Sequence, residues 1–359
     1  MIKKIVAYIL ITFGLTALWA STSRSAMAYL YKKRVAGTWW GVYPEDHGDL
    51  VSLSYLDFVN AFKHNAGSPL TKRPYDGPAN MVLYLDGDSY TWQLGPALLN
   101  GLSAYHYISR YEPSHYTLDT TKRNILVIEI AERMLRQYFD SVRMIYDLSD
   151  ANNGNHAADR PVPVYTSNDG PSPSLAAFGL FNNNINQNLQ FNLFNYRWIM
   201  PLFESKAALN YYIFKRASGR VEISDDGTFL FLKETVSNTG LLSSYSRLAP
   251  SDINILVNNL NFIYGHFKAS GFEEIYLSII PNSATIVQPQ KYNNLIPLVQ
   301  NDPGLKMKVI DVYSVFRASG QQLYLAGDTH WNNAGMQLYI DLLNQVIEMR
   351  NNIGDSAGH

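Results

Sequence analysis

Cysteine is absent from all 359 residues, which excludes disulfides, thiolate metal sites and a Cys nucleophile. Its absence leaves an oxidising compartment open, because a chain this long needs no disulfide staple. Charge is also sparse, at 16% of residues, with Lys+Arg 29 against Asp+Glu 30 and a formal net charge of −1. No long basic run occurs, so nothing points to a nucleic-acid partner. Internal repeats are missing as well. What the chain does have is apolar residues, 47% of the total. That is far too many for a disordered chain, and a chain near this length buries about 75% of its unfolded surface. Length suggests two domains, or one large α/β domain with insertions.

The N-terminus points out of the cytoplasm. Lys3 and Lys4 precede Ile5 to Ala20, a run without a charge. As a helix that run reaches about 24 Å, slightly short of a ~30 Å bilayer core, and extending it to Ser23 nearly spans. Basic start, apolar middle and small-residue end fit a secretory signal, and Ala26-Met27-Ala28 offers a cleavage site. Residues 1–28 are therefore read as a signal peptide or an uncleaved anchor formed by residues 5–23. The flanking lysines place residues 29–359 outside the cytoplasm, in a periplasmic or extracytoplasmic space.

Buried strands are expected at Met81–Leu85 and Asn124–Ile130, both continuous apolar runs suited to a parallel sheet. Helices are expected after each, over Trp92–Leu102 and Ala131–Phe139. Residues 148 to 175 are rich in Asn, Asp, Gly, Pro and Ser and read as a long surface loop. The Asn-rich tract from Asn182 to Asn195 reads as a locally ordered insertion. Val221–Leu232 is a hairpin signal turning at Asp225-Asp226-Gly227. Pro250 opens a helix whose stripe is Ile253, Leu256, Leu260, Ile263 and Phe267, ending at Gly271. Glu274–Ile280 and Lys308–Phe316 are expected as strands, and Asn333 to Arg350 as the last helix. Alternation of this kind argues for a parallel sheet with helices on both faces.

Two short motifs carry chemistry. Gly87-Asp88-Ser89 follows the first buried strand, and reactive groups gather at the carboxyl ends of strands in open α/β sheets. A Ser there is a candidate nucleophile whose own N–H can serve an oxyanion. Alone the tripeptide is weak, since roughly one chain in ten of this length shows it by chance. The bland alternative is a helix-capping turn. Asp328-Thr329-His330-Trp331 is more specific. An Asp beside an imidazole fixes its tautomer and stabilises its protonated form. A His and Asp metal pair is the competing reading, but it lacks a third ligand by spacing.

Together these residues resemble the SGNH/GDSL hydrolase superfamily, and more closely its AlgX/AlgJ-like group, the alginate-type polysaccharide O-acetyltransferases with a D-x-H-W motif. VIEIAERML at Val127–Leu135 and the hairpin DGTFLF at Asp226–Phe231 are similar to family segments, with Thr228 where Trp is usual. Ile280-Pro281-Asn282 is similar to a family turn. The resemblance covers roughly residues 80–140 and 220–348. The Ser motif precedes the D-x-H-W motif, as in SGNH esterases, and the separate Gly and Asn oxyanion blocks are not legible.

The resemblance implies a flavodoxin-like α/β/α sandwich with a parallel central sheet and an insertion around 141–245. It implies Ser89 as nucleophile, His330 as base and Asp328 as its orienting acid. Arg110, Arg133, Trp331 and Asn282 are candidates for substrate or oxyanion contacts, and Trp92 and Trp331 for sugar stacking or pocket closure. No metal or cofactor is implied. The expected activity is serine-dependent O-acetyl transfer or acetyl-ester hydrolysis on a cell-envelope or exported polysaccharide. An integral-membrane acetyl-donor protein is the partner implied for a transferase. The alternative is a catalytically silent glycan-binding or assembly component of an envelope complex.

Overall fold

The computed structural model describes residues 2–23, 25–27, 29, 48–63, 67–72, 75, 77, 79–150, 185–194, 198–217 and 219–356. In chain order the first elements are α1 (Ile2–Thr22), α2 (Asp49–Ser54), β1 (Met81–Gly87), β2 (Leu102–Ser109), β3 (Ser114–Tyr116) and β4 (Arg123–Ala131). Next come α3 (Glu132–Tyr138), α4 (Met144–Asp147), β5 (Leu148–Asp150), α5 (Ile185–Phe194), α6 (Met200–Phe214), β6 (Val221–Ile223) and β7 (Leu230–Leu232). The last are α7 (Lys233–Val236), α8 (Pro250–Ala269), β8 (Glu274–Ile280), α9 (Ser283–Val287), α10 (Leu295–Gln300), β9 (Lys308–Ile310), α11 (Val312–Ala318) and α12 (Asn333–Ser356). They fall into two compact units. The smaller contains α1, residues 55–59, α5 and α6, and the larger contains everything else named above.

The larger unit is an α/β fold. Its central sheet runs in the order β2-β1-β4-β8-β9 with every pair parallel. All seven residues of β1 are buried, and its side chains alternate between two cores. Val82 and Tyr84 join Leu126, Leu277 and the α8 residues Leu256, Leu260 and Phe267. Met81, Leu83 and Leu85 join Ile125, Val127 and the α12 residues Tyr339, Leu343 and Ile347. A period of two with both faces covered is the reason the run is apolar throughout. Each such side chain contributes about 1.5–3 kcal/mol of burial. Helix α8 carries Pro at its first position, and the Asp252 carboxylate accepts the Ala249 N–H at 3.0 Å. The hairpin β6/β7 pairs Val221 with Leu232 and turns at Gly227, whose φ of 74° suits a residue without Cβ.

Three expectations are corrected. Trp92–Leu102 is not a helix. Only a 3-10 turn forms, at Pro96–Leu98, with Gly95 extended before it, because proline disfavours helical geometry in the residue that precedes it. Strand β2 follows at the sheet edge, half exposed, so no continuous apolar run announces it. Lys308–Phe316 is a strand only as far as Ile310. Asp311 then accepts the Ser314 N–H at 3.0 Å and starts α11. In the expected loop at 148–175, Leu148–Asp150 is a strand paired with β3, and the remainder lies outside the described residues.

In the smaller unit, Lys3–Thr22 is a helix long and apolar enough to cross a membrane. Residues 3–16 are exposed, so this is not a core helix, whereas Ser21 and Thr22 are buried. The expected Asn-rich insertion contains α5. There the Asn188 side-chain amide donates to the Ser21 carbonyl at 2.8 Å, and that of Asn192 to the Ser21 hydroxyl at 2.9 Å.

Candidate active site

The site begins where β1 ends. Asp88 is fixed from several directions. Its Oδ1 accepts the Tyr90 N–H at 2.9 Å and its Oδ2 the Ala131 N–H at 3.3 Å. Its N–H donates to Glu129 Oε2 at 2.9 Å, and its carbonyl accepts the Tyr107 hydroxyl at 2.8 Å. Asp88 is thus buried and spent on structure, and the next residue, Ser89, is turned outward. The Ser89 N–H donates to no group among the described residues. Glu129 is wholly buried. Burial, and then the Asp88 charge, push its carboxyl up to about 8.

Opposite lies the loop from Leu323 to Asn332, closed by Asn332 N–H to Leu323 O at 2.9 Å and Leu325 N–H to His330 O at 3.2 Å. Strand β7 braces it through Leu230 N–H to Ala326 O at 2.8 Å. The Tyr90 hydroxyl donates to Thr329 O at 2.5 Å, which ties the Ser89 turn to this loop. Burial keeps the Tyr90 phenol above its ordinary range, so it stays a neutral donor.

Across this gap His330 Nε2 lies 2.8 Å from Ser89 Oγ, and His330 Nδ1 lies 2.7 Å from Asp328 Oδ1. A carboxylate only accepts, so Nδ1 carries the proton and Nε2 is left to accept from the serine hydroxyl. Burial works against ionisation of Asp328. The His330 side chain and the N–H groups of Asp49 and His330 outweigh it and hold the carboxyl below its usual range. The three residues named from sequence are therefore one hydrogen-bonded chain.

Sequence reasoning missed Asp49. Its N–H donates to Asp328 Oδ2 at 3.0 Å, its Oδ1 accepts the Thr329 N–H at 2.8 Å, and its Oδ2 accepts the Thr329 hydroxyl at 2.6 Å. The N–H groups of Leu50 and Val51 both point at Gly327 O, at 3.1 and 3.0 Å. Gly48 makes this approach possible. Its φ is 112°, and a Cβ there would lie 2.4 Å from Gly327 O. No residue pattern near Asp49 signals this role, because its partners are 279 and 280 residues away.

Ser89, Asp328 and His330 open into a cavity of about 300 Å³, which Tyr90, Trp92, Gln93, Trp331 and Met336 also line. Trp92 is 64% exposed, and Trp331 is 6% exposed and packs edge-on to Tyr90 at 5.1 Å. The other substrate-binding candidates do not line it. Arg110 is buried, with its Nε donating to Asp86 Oδ2 at 3.1 Å and a second nitrogen donating to the Glu129 carbonyl. The pair ties two adjacent strands together, since Asp86 is next to last in β1 and Arg110 directly follows β2. Asn282 is buried and donates to Ser244 Oγ at 2.8 Å. Arg133 lies over the Tyr90 ring at 5.4 Å and donates to its hydroxyl at 3.3 Å.

Asp49, Asp328 and His330 also offer donor atoms within 4.8 Å of one another, a spacing that can hold a metal ion. All four carboxylate oxygens already accept N–H or O–H donors. No family model, curated protein or solved structure gives a significant match to the chain.

Proposed function

We propose that the chain is a serine-dependent O-acetyltransferase or acetylesterase of the SGNH type, related to the AlgX/AlgJ-like group and acting on a cell-envelope or exported polysaccharide. The observation that carries this reading is the unbroken path Ser89 Oγ–His330 Nε2–His330 Nδ1–Asp328, open to a cavity. In the first half-reaction His330 takes the Ser89 proton while Oγ attacks the acetyl carbonyl. The oxyanion that forms meets the unspent Ser89 N–H. Collapse breaks the ester C–O bond, and His330 returns the proton to the leaving alkoxide. The acetyl group is then on Ser89, and the same groups run in reverse with a sugar hydroxyl or water as acceptor. Donor acetyl groups are expected from an integral-membrane partner if the acceptor is a sugar.

Lys3 and Lys4, ahead of the uncharged run that starts at Ile5, support a site of action outside the cytoplasm. Removal of residues 1–28 would delete the Ser21 groups that accept from the Asn188 and Asn192 side-chain amides. This supports α1 as a retained anchor over a cleaved signal, and an intact N-terminus by mass spectrometry of the membrane fraction is the expected result. The functional test incubates the protein with a chromogenic acetyl ester, with and without an oligosaccharide acceptor. Acetyl on the sugar that depends on Ser89 establishes the transferase, and acetate alone favours the esterase. No turnover and no acetyl-Ser89 adduct would sink the enzyme reading and leave a glycan-binding component.

A further inference from the structure

Asp49 touches neither the cavity nor Ser89, yet its contacts are concentrated on the two residues that set the imidazole. Building on the reading of Ser89 as nucleophile, we propose that Asp49 is a positioning residue that locks the Asp328–His330 pair in its productive orientation. Two separate effects are built into its contacts.

The first is the angle of the Asp328 carboxylate. Oδ1 is held by His330 and Oδ2 by the Asp49 N–H. Rotation about the Asp328 Cβ–Cγ bond breaks both. With Asp49 in place the carboxylate is held at both oxygens, so the imidazole is held at one angle to Ser89 Oγ.

The second is the Thr329 hydroxyl, which lies 3.4 Å from His330 Nδ1. Its proton is committed to Asp49 Oδ2, so it cannot donate to Nδ1. Only a lone pair faces the imidazole, which favours a proton on Nδ1 and leaves Nε2 free to act as base. Without the Asp49 carboxylate, that hydroxyl is free to turn its proton toward Nδ1 and compete with the Asp328 bond that fixes the tautomer.

Stability alone does not account for this arrangement. Burial and then the neighbouring Asp328 charge both raise the Asp49 carboxyl above its ordinary range, opposed by the two Thr329 hydrogen bonds. Two carboxylates side by side are a local cost, and such costs concentrate where geometry is needed.

The test uses the full-length protein with Asp49→Ala, Asp49→Asn and Thr329→Val. Two readouts are taken: kcat and KM on an acetyl ester, and the downfield proton resonance of His330 Nδ1–H. Asp49→Ala keeps the backbone N–H to Asp328 but frees Thr329 from the carboxylate that ties the two segments together, and is expected to lower kcat about 100-fold, the scale of a displaced catalytic group, with KM within about twofold. It should also broaden or shift the Nδ1–H resonance. Asp49→Asn keeps an acceptor for the Thr329 N–H but sets an amide donor against its hydroxyl, so it is expected to recover only part of the lost kcat and still to shift the resonance. Thr329→Val isolates the hydroxyl effect, tests the proposal even if Asp49→Ala does not fold, and is expected to shift the resonance with a several-fold loss in kcat. A folded Asp49→Ala with unchanged resonance and unchanged kcat overturns the proposal, as does a folded Thr329→Val with both unchanged. If wild type and Ser89→Ala hydrolyse ester equally, the catalytic reading fails instead. The resonance still reports whether Asp49 holds the pair.

Discussion

Two neighbouring ends of the same sheet carry buried acids, and they finish differently. At the end of β1, the Asp88 carboxylate and Glu129 Oε2 accept backbone N–H groups and the Thr91 hydroxyl, and Ser89 is left with an N–H that donates to no described residue and a hydroxyl facing His330. At the ends of β4 and β8, Glu132 accepts the Asn282 N–H at 2.9 Å and the Thr285 hydroxyl at 2.6 Å. Ser244 Oγ accepts from Asn282 and lies 2.9 Å from the Thr285 hydroxyl, and all four residues are buried. Both clusters lie at the carboxyl side of a parallel sheet, where ligand sites are found. Topology therefore gives the address, and the unspent donor beside a solvent-reached hydroxyl gives the chemistry.

The sharpest way to break that contrast is to remove one hydroxyl or one carboxylate from each end. Ser89→Ala is expected to lower ester turnover by at least about 10⁴-fold, as for other hydrogen-bonded Ser-His-Asp sets, with Tm unchanged. Glu132→Ala is expected to do the opposite. It leaves the Asn282 N–H and Thr285 hydroxyl buried without their acceptor, a loss of about 2–4 kcal/mol in urea unfolding, while kcat of the folded fraction is preserved. Loss of kcat without loss of stability in Glu132→Ala would make the second end part of the site.

Between them stands Glu129, buried behind Ser89 but not exposed to the cavity. Its carboxyl is raised from 4.5 to about 8, so between those values the folded state holds a proton that the unfolded state has released. Stability from this group is therefore full below about 4.5 and declines as pH rises towards 8. Urea unfolding across pH 5 to 8 should show a falling slope that Glu129→Gln flattens. An unchanged slope in that variant would show that Glu129 is ionised in the fold.

Much of this was legible because it is local. The runs at β1, β4 and β8 are apolar on both faces, and the α8 stripe repeats at helical spacing, so pattern alone finds them. Ser89 follows a strand and Asp328 and His330 are two residues apart, so short motifs find them too. Strand β2 escaped because an edge strand has one exposed side and reads as mixed. Asp49 and the Asp86–Arg110 pair escaped for another reason: their partners are set by tertiary approach, across 279 residues in one case and between two adjacent strands in the other. A cation such as Arg110 looks available in a sequence until its carboxylate is found.

The smallest expected effect concerns Trp92, on the rim of the open end. Its indole is 64% exposed and lines the cavity, so burial in the protein core does not explain it. A large exposed aromatic beside the Ser89 hydroxyl suits the apolar face of a substrate ring, a contact worth about 0.5–1.5 kcal/mol beyond area burial for aromatic pairs. Trp92→Ala is then expected to raise KM for an acetylated oligosaccharide about three- to tenfold, with kcat and Tm unchanged. For a small chromogenic acetyl ester, too short to reach the rim, KM should not move. Equal effects on both substrates would assign Trp92 to the shape of the Ser89 turn. In that case the open end would owe its specificity to its other lining residues, Gln93, Trp331 and Met336.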